Sequence, residues 1–303
     1  MALPSNCKLE TILQGQVVAT FSRKYLVELE DGGIANGKLL PCLTHGKKSE
    51  VACGDRVEIQ LSGDSQGVIE KILPRKSLLH RSDAFRQKLI AANVTQIIVV
   101  VASEPTWSDE VLARCLVAAH HQQLTTLIVL NKCDLSAQAS VARALLEPYR
   151  AIGYRVLELT AKQDIAPLLP YLQGHSSVLV GQSGMGKSTL INALLPGAFA
   201  TTREISTALN SGKHTTTQAR LYHLNPDSHL IDCPGMQEFG LHHLDFGDIE
   251  EGFVEFSPYR GQCRFNNCHH SHEPGCAIGQ AVQAGKINAR RLKLFQEISQ
   301  TVC

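Results

Sequence analysis

A glycine-rich segment in the second half of the chain has the spacing of a phosphate-binding loop. Residues 181–188 read GQSGMGKS and fit the pattern G-x-x-x-x-G-K-[ST], between the apolar run 178–180 and the helical apolar pattern 190–194. Glycines let consecutive backbone N–H groups turn towards phosphate oxygens, and the start of the helix adds partial positive charge. We expect Lys187 to contact the β- and γ-phosphates of a nucleotide and Ser188 to bind its Mg²⁺. The predicted contacts are Gly181, Gln182, Ser183, Gly184, Met185, Gly186, Lys187, Ser188 and Thr189.

Two further motifs indicate which base the nucleotide carries. Residues 131–134 fit N-K-x-D, and residues 160–162 read Thr-Ala-Lys. The carboxylate of Asp134 can accept hydrogen bonds from the N1–H and the exocyclic amine of guanine, whereas adenine would leave it unpaired. The backbone N–H of Ala161 could meet the guanine oxygen. The predicted base contacts are Asn131, Lys132, Cys133, Asp134, Thr160, Ala161 and Lys162.

A third motif, D-x-x-G, occupies residues 232–235. Asp232 would hold Mg²⁺ through water and the Gly235 N–H would contact the γ-phosphate, although an ordinary Pro-Gly turn is the alternative. Many GTPases place a water-orienting Gln directly after this motif, but Met236 stands there. Hydrolysis is therefore expected to be slow, or to depend on another group that positions water.

The motifs occur in an unusual order along the chain. Ordinary GTPases run from the phosphate loop through D-x-x-G to N-K-x-D, but here N-K-x-D and Thr-Ala-Lys come first. This order is a circular permutation, and a sheet can still bring the same strand ends together. Because D-x-x-G leads directly into the C-terminal part, a γ-phosphate-dependent movement could pass to that part through the chain.

Cysteines and histidines are dense near the C-terminus. Cys263-x₄-Cys268-x-His270-x₅-Cys276 offers three thiolates and an imidazole, with His269 and His272 as alternative ligands. Soft sulfur ligands favour zinc over Mg²⁺ or Ca²⁺, and a closed set of four predicts one structural Zn²⁺. Because we expect a reducing compartment, we predict no structural disulfides.

The pattern of apolar residues predicts an α/β protein with three domains. Short β runs with Gly, Asp and Asn turns in residues 9–73 are typical of a small antiparallel barrel of the OB type. Continuous apolar runs at 97–101, 127–130, 156–159, 178–180 and 230–231 predict a parallel sheet buried on both faces. Residues 277–299 predict one or two basic amphipathic helices. The predicted domains are a barrel at 1–75, a permuted GTPase domain at 76–240 and a mostly helical zinc domain at 241–303.

Charge and composition agree with a globular protein. The 303 residues carry 29 Lys and Arg against 28 Asp and Glu, and no apolar run approaches the roughly 18 residues of a membrane span. Net charge is +2 over residues 1–82, −5 over 83–258 and +4 over 259–303, which would suit a polyanionic partner. Since the first ten residues lack a continuous apolar core, we expect a cytoplasmic protein. We also expect a monomer.

Together these motifs resemble the RsgA family, the GTPases that depend on the small ribosomal subunit, over nearly the whole chain. The resemblance implies that the subunit and its rRNA are the partners and that they stimulate hydrolysis of GTP to GDP and phosphate in late subunit maturation. It also selects His270 as the imidazole ligand. In the switch-like segment 212–217, it implies His214 as the catalytic residue and one threonine, Thr217 or Thr216, as a Mg²⁺ ligand; we favour Thr217. The alternative for His214 is a loop histidine without a role.

Two other functions remain open at this point. A P-loop kinase would transfer phosphate to a small acceptor, although N-K-x-D and Thr-Ala-Lys argue against it. A non-hydrolytic, GTP-dependent RNA-binding switch is the other, and Met236 keeps it open. Both the ribosome-dependent GTPase and the RNA-binding switch would contact RNA. Four cations near the C-terminus could contact its phosphates or simply form a solvated helix face: Lys286, Arg290, Arg291 and Lys293.

Overall fold

The computed structural model describes residues 12–21, 24–31, 34–45, 50–62, 65–82, 87–196, 219–233 and 240–301. Within these ranges no helix is both long and apolar enough to cross a membrane. The eight cysteines in these ranges are free.

The N-terminal part is a barrel, as expected, and it has five strands. Its strands are β1 (Ile12–Phe21), β2 (Lys24–Asp31), β3 (Ile34–Thr44), β4 (Arg56–Leu61) and β5 (Gly67–Ile72). Successive pairing in the order β1-β2-β3-β5-β4, together with a β1–β4 ladder, closes the barrel. Its core contains Val17, Val27, Val57 and Ile59, none of which exposes surface.

One detail of the barrel differs from the prediction. β3 and β5 run parallel, with Cys42 opposite Gly67, so the barrel is not purely antiparallel. The sequence pattern did not reveal β3, because Gly37 and Pro41 lie within it and both residues weaken the signal of a strand.

A parallel sheet forms the centre of the molecule, as predicted. Its strands are β8 (Gln96–Ala102), β9 (Thr125–Asn131), β10 (Arg155–Glu158), β11 (Ser176–Val180) and β13 (Ser228–Asp232), in the order β10-β9-β8-β11-β13. All seven residues of β8 are buried. Since the strands run parallel, the carboxyl ends of β8, β9, β10, β11 and β13 all lie at one edge.

Two additional features connect this sheet with its surroundings. A hairpin of β6 (Leu78–Ser82) and β7 (Gln87–Ala92) precedes β8, and β12 (Ala219–Asn225) pairs antiparallel with β13. β12 also pairs with β1 at Ala19–Arg220 and Thr20–Ala219. The barrel and the central sheet therefore form one continuous sheet of eleven strands.

Helices cover the sheet. They are α1 (Asp109–His121), α2 (Ser136–Ala151), the short α3 (Leu169–Leu172) and α4 (Lys187–Leu194). Ser108 caps α1, with Asp109 and Glu110 in the first turn. Leu112, Leu116 and Ala119 lie on its buried face.

The C-terminal part contains α5 (Phe246–Gly252), a 3₁₀ segment (Val254–Tyr259), α6 (Ala277–Gln283) and α7 (Ala289–Ser299). Phe246, Phe253 and Phe256 surround Phe295, with ring centroids 5.1–5.4 Å away. This apolar core continues into that of the central sheet. The domain boundaries at residues 75 and 240 stay a prediction.

The last helix corrects the expectation of four RNA-facing cations. Arg291 is 1% exposed because it lies on the same buried stripe as Leu294, Phe295 and Ile298. Its guanidinium pairs with Glu255 at 2.6 Å. Arg291 is therefore unavailable to RNA, and the prediction was wrong for this residue.

The other three cations of that prediction differ among themselves, and Lys286 is not on the helix, since it lies between α6 and the start of α7 at Ala289. Arg290 is half-buried and pairs with Asp109 of α1. Lys286 and Lys293 are exposed.

Candidate functional site

The phosphate loop follows β11 and requires glycine at two positions. Gly181 has φ of +145°, and a Cβ there would lie 2.3 Å from the carbonyl oxygen of Val100. Gly186 has φ of +94°, and a Cβ there would lie 2.2 Å from Nδ2 of Asn131. Side chains at either position would clash, so the loop passes close to β8 and to the loop after β9.

Lys187 begins α4 and folds back over the phosphate loop. Its Nζ donates to the carbonyl oxygens of Gly181 at 2.5 Å and Gln182 at 2.8 Å. Burial lowers the pKa of Lys187, and the nearby carboxylate of Asp232 opposes that effect. Burial likewise raises the pKa of Asp232, with Lys187 opposing it. The phosphate loop and the end of β13 therefore place opposite charges near each other.

Asn131, at the end of β9, connects three loops. Its side chain is 2% exposed. Nδ2 donates to the carbonyl oxygen of Met185 at 3.0 Å, and Oδ1 accepts from the N–H of Ala161 at 2.9 Å. The amide thereby fixes the N-K-x-D loop against both the phosphate loop and the Thr-Ala-Lys loop.

The two base-contact loops meet in a second place. The N–H of Asp134 donates to Oγ1 of Thr160 at 3.1 Å, and that hydroxyl lies 3.3 Å from Oδ1 of Asp134. Nζ of Lys132 donates to the carbonyl oxygen of Glu104 at 2.7 Å. Burial raises the pKa of the Cys133 thiol, the remaining member of the motif.

A cleft of about 210 Å³ opens between these loops. Its lining includes most of the predicted base contacts and two residues of the phosphate-loop region: Asn131, Lys132, Asp134, Leu135, Thr160, Ala161, Lys162, Gly186 and Thr189. Ser183, Gly184 and Ser188 are exposed on the phosphate-loop side. Three separate loops thus form one concave site at the edge of the sheet.

Two residues at this edge were missed by sequence reasoning. Ser103, just after β8, donates from Oγ to the carbonyl oxygen of Lys132 at 2.5 Å. The N–H of Ser108 donates to Oε1 of Gln182 at 2.6 Å. Their position after the central strand was the available signal, because the neighbouring strand ends carry the motifs.

Four residues of the prediction lie outside the described residues. These are His214, Thr217, Gly235 and Met236. Their roles stay predictions, including the choice of Thr217 over Thr216.

The predicted metal ligands come together in the C-terminal part. One ligand atom each from Cys263, Cys268, His270 and Cys276 lies within 4.8 Å of the others. Nδ1 of His270 is 3.6 Å from Sγ of Cys263 and 3.4 Å from Sγ of Cys276. Nε2 of His270 is 3.0 Å from Oε1 of Glu250. The cluster could hold a metal ion on Nδ1, with Glu250 orienting the ring.

Backbone groups support the sulfur atoms of this cluster. Sγ of Cys263 accepts from the N–H of Ala277 at 3.3 Å, and Sγ of Cys276 from that of Gly279 at 3.2 Å. Burial raises the pKa of the Cys276 thiol, but the Gly279 N–H and the His270 imidazole lower it by more. These contacts favour the thiolate form that metals bind.

Comparisons with known proteins identify the family. The RsgA GTPase family model matches residues 72–242. A protein of Nitrosospira multiformis named small ribosomal subunit biogenesis GTPase RsgA is 53% identical over 94% of this chain and 90% of its own length. A protein of Burkholderia pseudomallei with the same name is 52% identical over 94% of this chain and 91% of its own.

Solved structures agree with the fold. YjeQ from Thermotoga maritima has a TM-score of 0.72 and 30% identity, covering 96% of this chain and 99% of its own. YloQ, described as a circularly permuted GTPase, has a TM-score of 0.68 at 24% identity, covering 99% and 98%, and supports the fold alone. The solved structures confirm the predicted permuted fold. The family model and the relatives confirm the predicted GTP hydrolase activity, and the kinase alternative is set aside. The chain belongs to the RsgA family of circularly permuted GTPases and is a GTP hydrolase.

Proposed function

We propose that the protein binds GTP in the cleft between the three loops and hydrolyses it as a timing switch in late maturation of the small ribosomal subunit. The observation that carries this proposal is Asn131, because its buried amide joins the base loops to the phosphate loop. Its relatives are named for small-subunit biogenesis. We further propose that the protein acts as a monomer in the cytoplasm, where it meets the subunit.

Asp134 and Ala161 would select the base. The carboxylate of Asp134 would accept from N1–H and the exocyclic amine of guanine, while the Ala161 N–H, already held by Asn131, would lie beside the oxygen. Thr160 steadies Asp134 through its hydroxyl. The side chain of Lys132 would cover the guanine ring, and its position is fixed because its Nζ donates to the carbonyl oxygen of Glu104.

Lys187 and the phosphate-loop N–H groups would hold the phosphates. Ser188, Thr217 and a water on Asp232 would hold the Mg²⁺ that accompanies GTP and neutralises charge on its phosphates. Asp232 fits this role because its carboxylate is half-buried at the end of β13 and lies near Lys187. A cation at that carboxylate would replace the solvation that burial removes.

His214 would help to position the attacking water. The proposal is supported by Met236, whose thioether cannot orient water in the usual place. Binding of the small subunit would complete this arrangement, so that hydrolysis is slow before the partner arrives.

Cys263, Cys268, His270 and Cys276 would bind one structural Zn²⁺. Tetrahedral bonds of about 2.3 Å to sulfur and 2.0 Å to nitrogen put N and S about 3.5 Å apart. The observed separations of 3.4 Å and 3.6 Å fit that geometry. All four positions are protein ligands, so the ion would fasten the C-terminal part rather than activate water. That part would contact rRNA phosphates through exposed cations such as Lys286 and Lys293.

The nucleotide site can be tested by binding. The dissociation constants of GTP and ATP would be measured with Mg²⁺ for the wild type, Lys187→Ala and the control Lys71→Ala, an exposed lysine of β5. We expect tight GTP binding, weak ATP binding and a loss of GTP affinity in Lys187→Ala alone. Equal GTP affinity in Lys187→Ala and wild type would contradict the proposed site.

A further inference from the structure

The last helix of the chain is fastened to the first residue of α1. Nη2 of Arg290 donates to Oδ1 of Asp109 at 3.1 Å, and Nε lies 2.5 Å from Oδ2 of the same carboxylate. Nη2 also donates to the carbonyl oxygen of Leu145 in α2 at 2.7 Å. Arg290 therefore joins α7 to both α1 and α2.

The carboxylate of Asp109 accepts from two residues, and one of its oxygens is shielded from water. Oδ2 of Asp109 and Nε of Arg290 are both shielded from solvent. Oδ1 of Asp109 also accepts from the hydroxyl of Tyr149 at 2.5 Å. The two side chains are only partly exposed, at 32% for Arg290 and 22% for Asp109, so loss of Arg290 would leave a half-buried carboxylate without its cation and would disturb the first turn of α1.

The first turn of α1 is in turn fastened to the phosphate loop. Ser108 caps α1 by accepting from the N–H of Val111 at 3.3 Å. The N–H of the same Ser108 donates to the side-chain oxygen of Gln182, the second residue of the loop, at 2.6 Å. Arg290 and the phosphate loop thus act on adjacent residues, Asp109 and Ser108.

We propose that Arg290 is a positioning residue for GTP: by holding Asp109 it fixes the start of α1, and through Ser108 and Gln182 it fixes the phosphate loop. The seating of α7 on α1 is therefore coupled to nucleotide affinity. This inference rests on the proposed placement of the phosphates at residues 181–188.

The coupling runs by a different route from D-x-x-G. That motif reaches the C-terminal part along the chain, whereas Arg290 reaches the phosphate loop through side-chain contacts with α1. Coupling of two sites is reciprocal, so a partner that displaces α7 would weaken GTP binding, and GTP would strengthen the seating of α7.

A double-mutant cycle on the full chain tests the connection. The dissociation constant of a fluorescent GTP analogue with Mg²⁺ would be measured for Arg290→Ala, Gln182→Ala and the double variant, well below their unfolding temperatures. Glu297→Ala is the matched control, because Glu297 is exposed on the same helix and its ion pair is the 3.7 Å contact with Lys293. We expect each single variant to weaken binding about fivefold, with the control unchanged. The double variant should bind the GTP analogue no more weakly than the single variant that binds it less tightly.

The outcomes separate this inference from the site on which it rests. Folded Arg290→Ala with wild-type affinity, or fully additive effects in the double variant, would overturn the inference. If Arg290→Ala does not fold, Asp109→Ala takes its place: it removes the carboxylate through which Arg290 would act, and wild-type GTP affinity in that variant would overturn the inference as well. Lys187→Ala is the reference, since normal binding in that variant would instead contradict the nucleotide site.

Discussion

The side-chain oxygen of Asn131 accepts a 2.9 Å hydrogen bond from the backbone N–H of Ala161. This bond connects the loops after β9 and β10, and the other end of the same amide holds the carbonyl oxygen of Met185 in the phosphate loop. A single buried side chain therefore sets the relative position of the base loops and the phosphate loop.

Replacing Asn131 by Ala should damage both stability and GTP binding. The substitution leaves the N–H of Ala161 and the carbonyl oxygen of Met185 without a partner in a buried place, which costs about 1–3 kcal/mol. Urea unfolding and GTP titration would measure the two effects. Asn225→Ala, at the exposed end of β12, is the control: its side chain accepts only from the N–H of Asp227 in the following turn, far from the loops, and GTP affinity should not change. Unchanged GTP affinity in Asn131→Ala would show that the amide does not organise the site.

Replacing Asp134 by Asn should change the preferred base. An amide can accept from N1–H but presents N–H groups to the guanine amine, whereas xanthine carries an oxygen acceptor at that position. We expect Asp134→Asn to lose GTP affinity by at least about tenfold and to gain affinity for XTP. Competition binding with GTP, XTP and ATP would measure this. Asp164→Asn, at an exposed position, should keep the wild-type preference. Loss of all three nucleotides without any gain of XTP would indicate that Asp134 acts only structurally.

Replacing Arg291 by Ala should destabilise the protein. The guanidinium pairs with Glu255 and lies 5.0 Å from the ring centroid of Tyr149 and 4.4 Å from that of Phe253. Removing one partner leaves a buried carboxylate, which costs about 3–5 kcal/mol. Chemical denaturation would measure the loss of unfolding free energy, with Lys293→Ala as the exposed control. The double change Arg291→Met with Glu255→Leu should recover most of the loss, and a double variant as unstable as the single one would contradict this account of the pair.

Removing the metal should unfold the C-terminal part while GTP binding by the central loops persists in weakened form. The purified protein should contain one zinc per chain, and Cys276→Ser should lower both the zinc content and the unfolding temperature. Elemental analysis and thermal unfolding would measure these. Cys303→Ser leaves the four ligands intact and serves as the control. Full zinc content in Cys276→Ser would remove that residue from the ligand set.

The motif-bearing strand ends could be predicted because both their residue types and their place after apolar runs are local properties of the sequence. The strand β3 could not be, since Gly37 and Pro41 interrupt its pattern. β12 was missed because its outward side chains are polar and its pairing partners, β1 and β13, are set by the fold.

Long-range partners explain the remaining differences. Arg291 looked like a surface cation because Glu255, which makes its burial possible, lies 36 residues earlier in the chain. The contact of Ser108 with Gln182 spans 74 residues and leaves no pattern in either segment. Sequence reasoning therefore located the strand ends that carry the motifs but not the contacts that hold their loops together.

The central claim is that the small ribosomal subunit triggers GTP hydrolysis at this site. Phosphate release from GTP, with ATP as the control nucleotide, would be measured with and without purified small subunits, for the wild type and His214→Ala. We expect slow release from GTP alone, stimulation by small subunits of about 10³-fold or more, and loss of that stimulation in His214→Ala. Bound GTP without any stimulation would contradict the account and favour a binding-only switch.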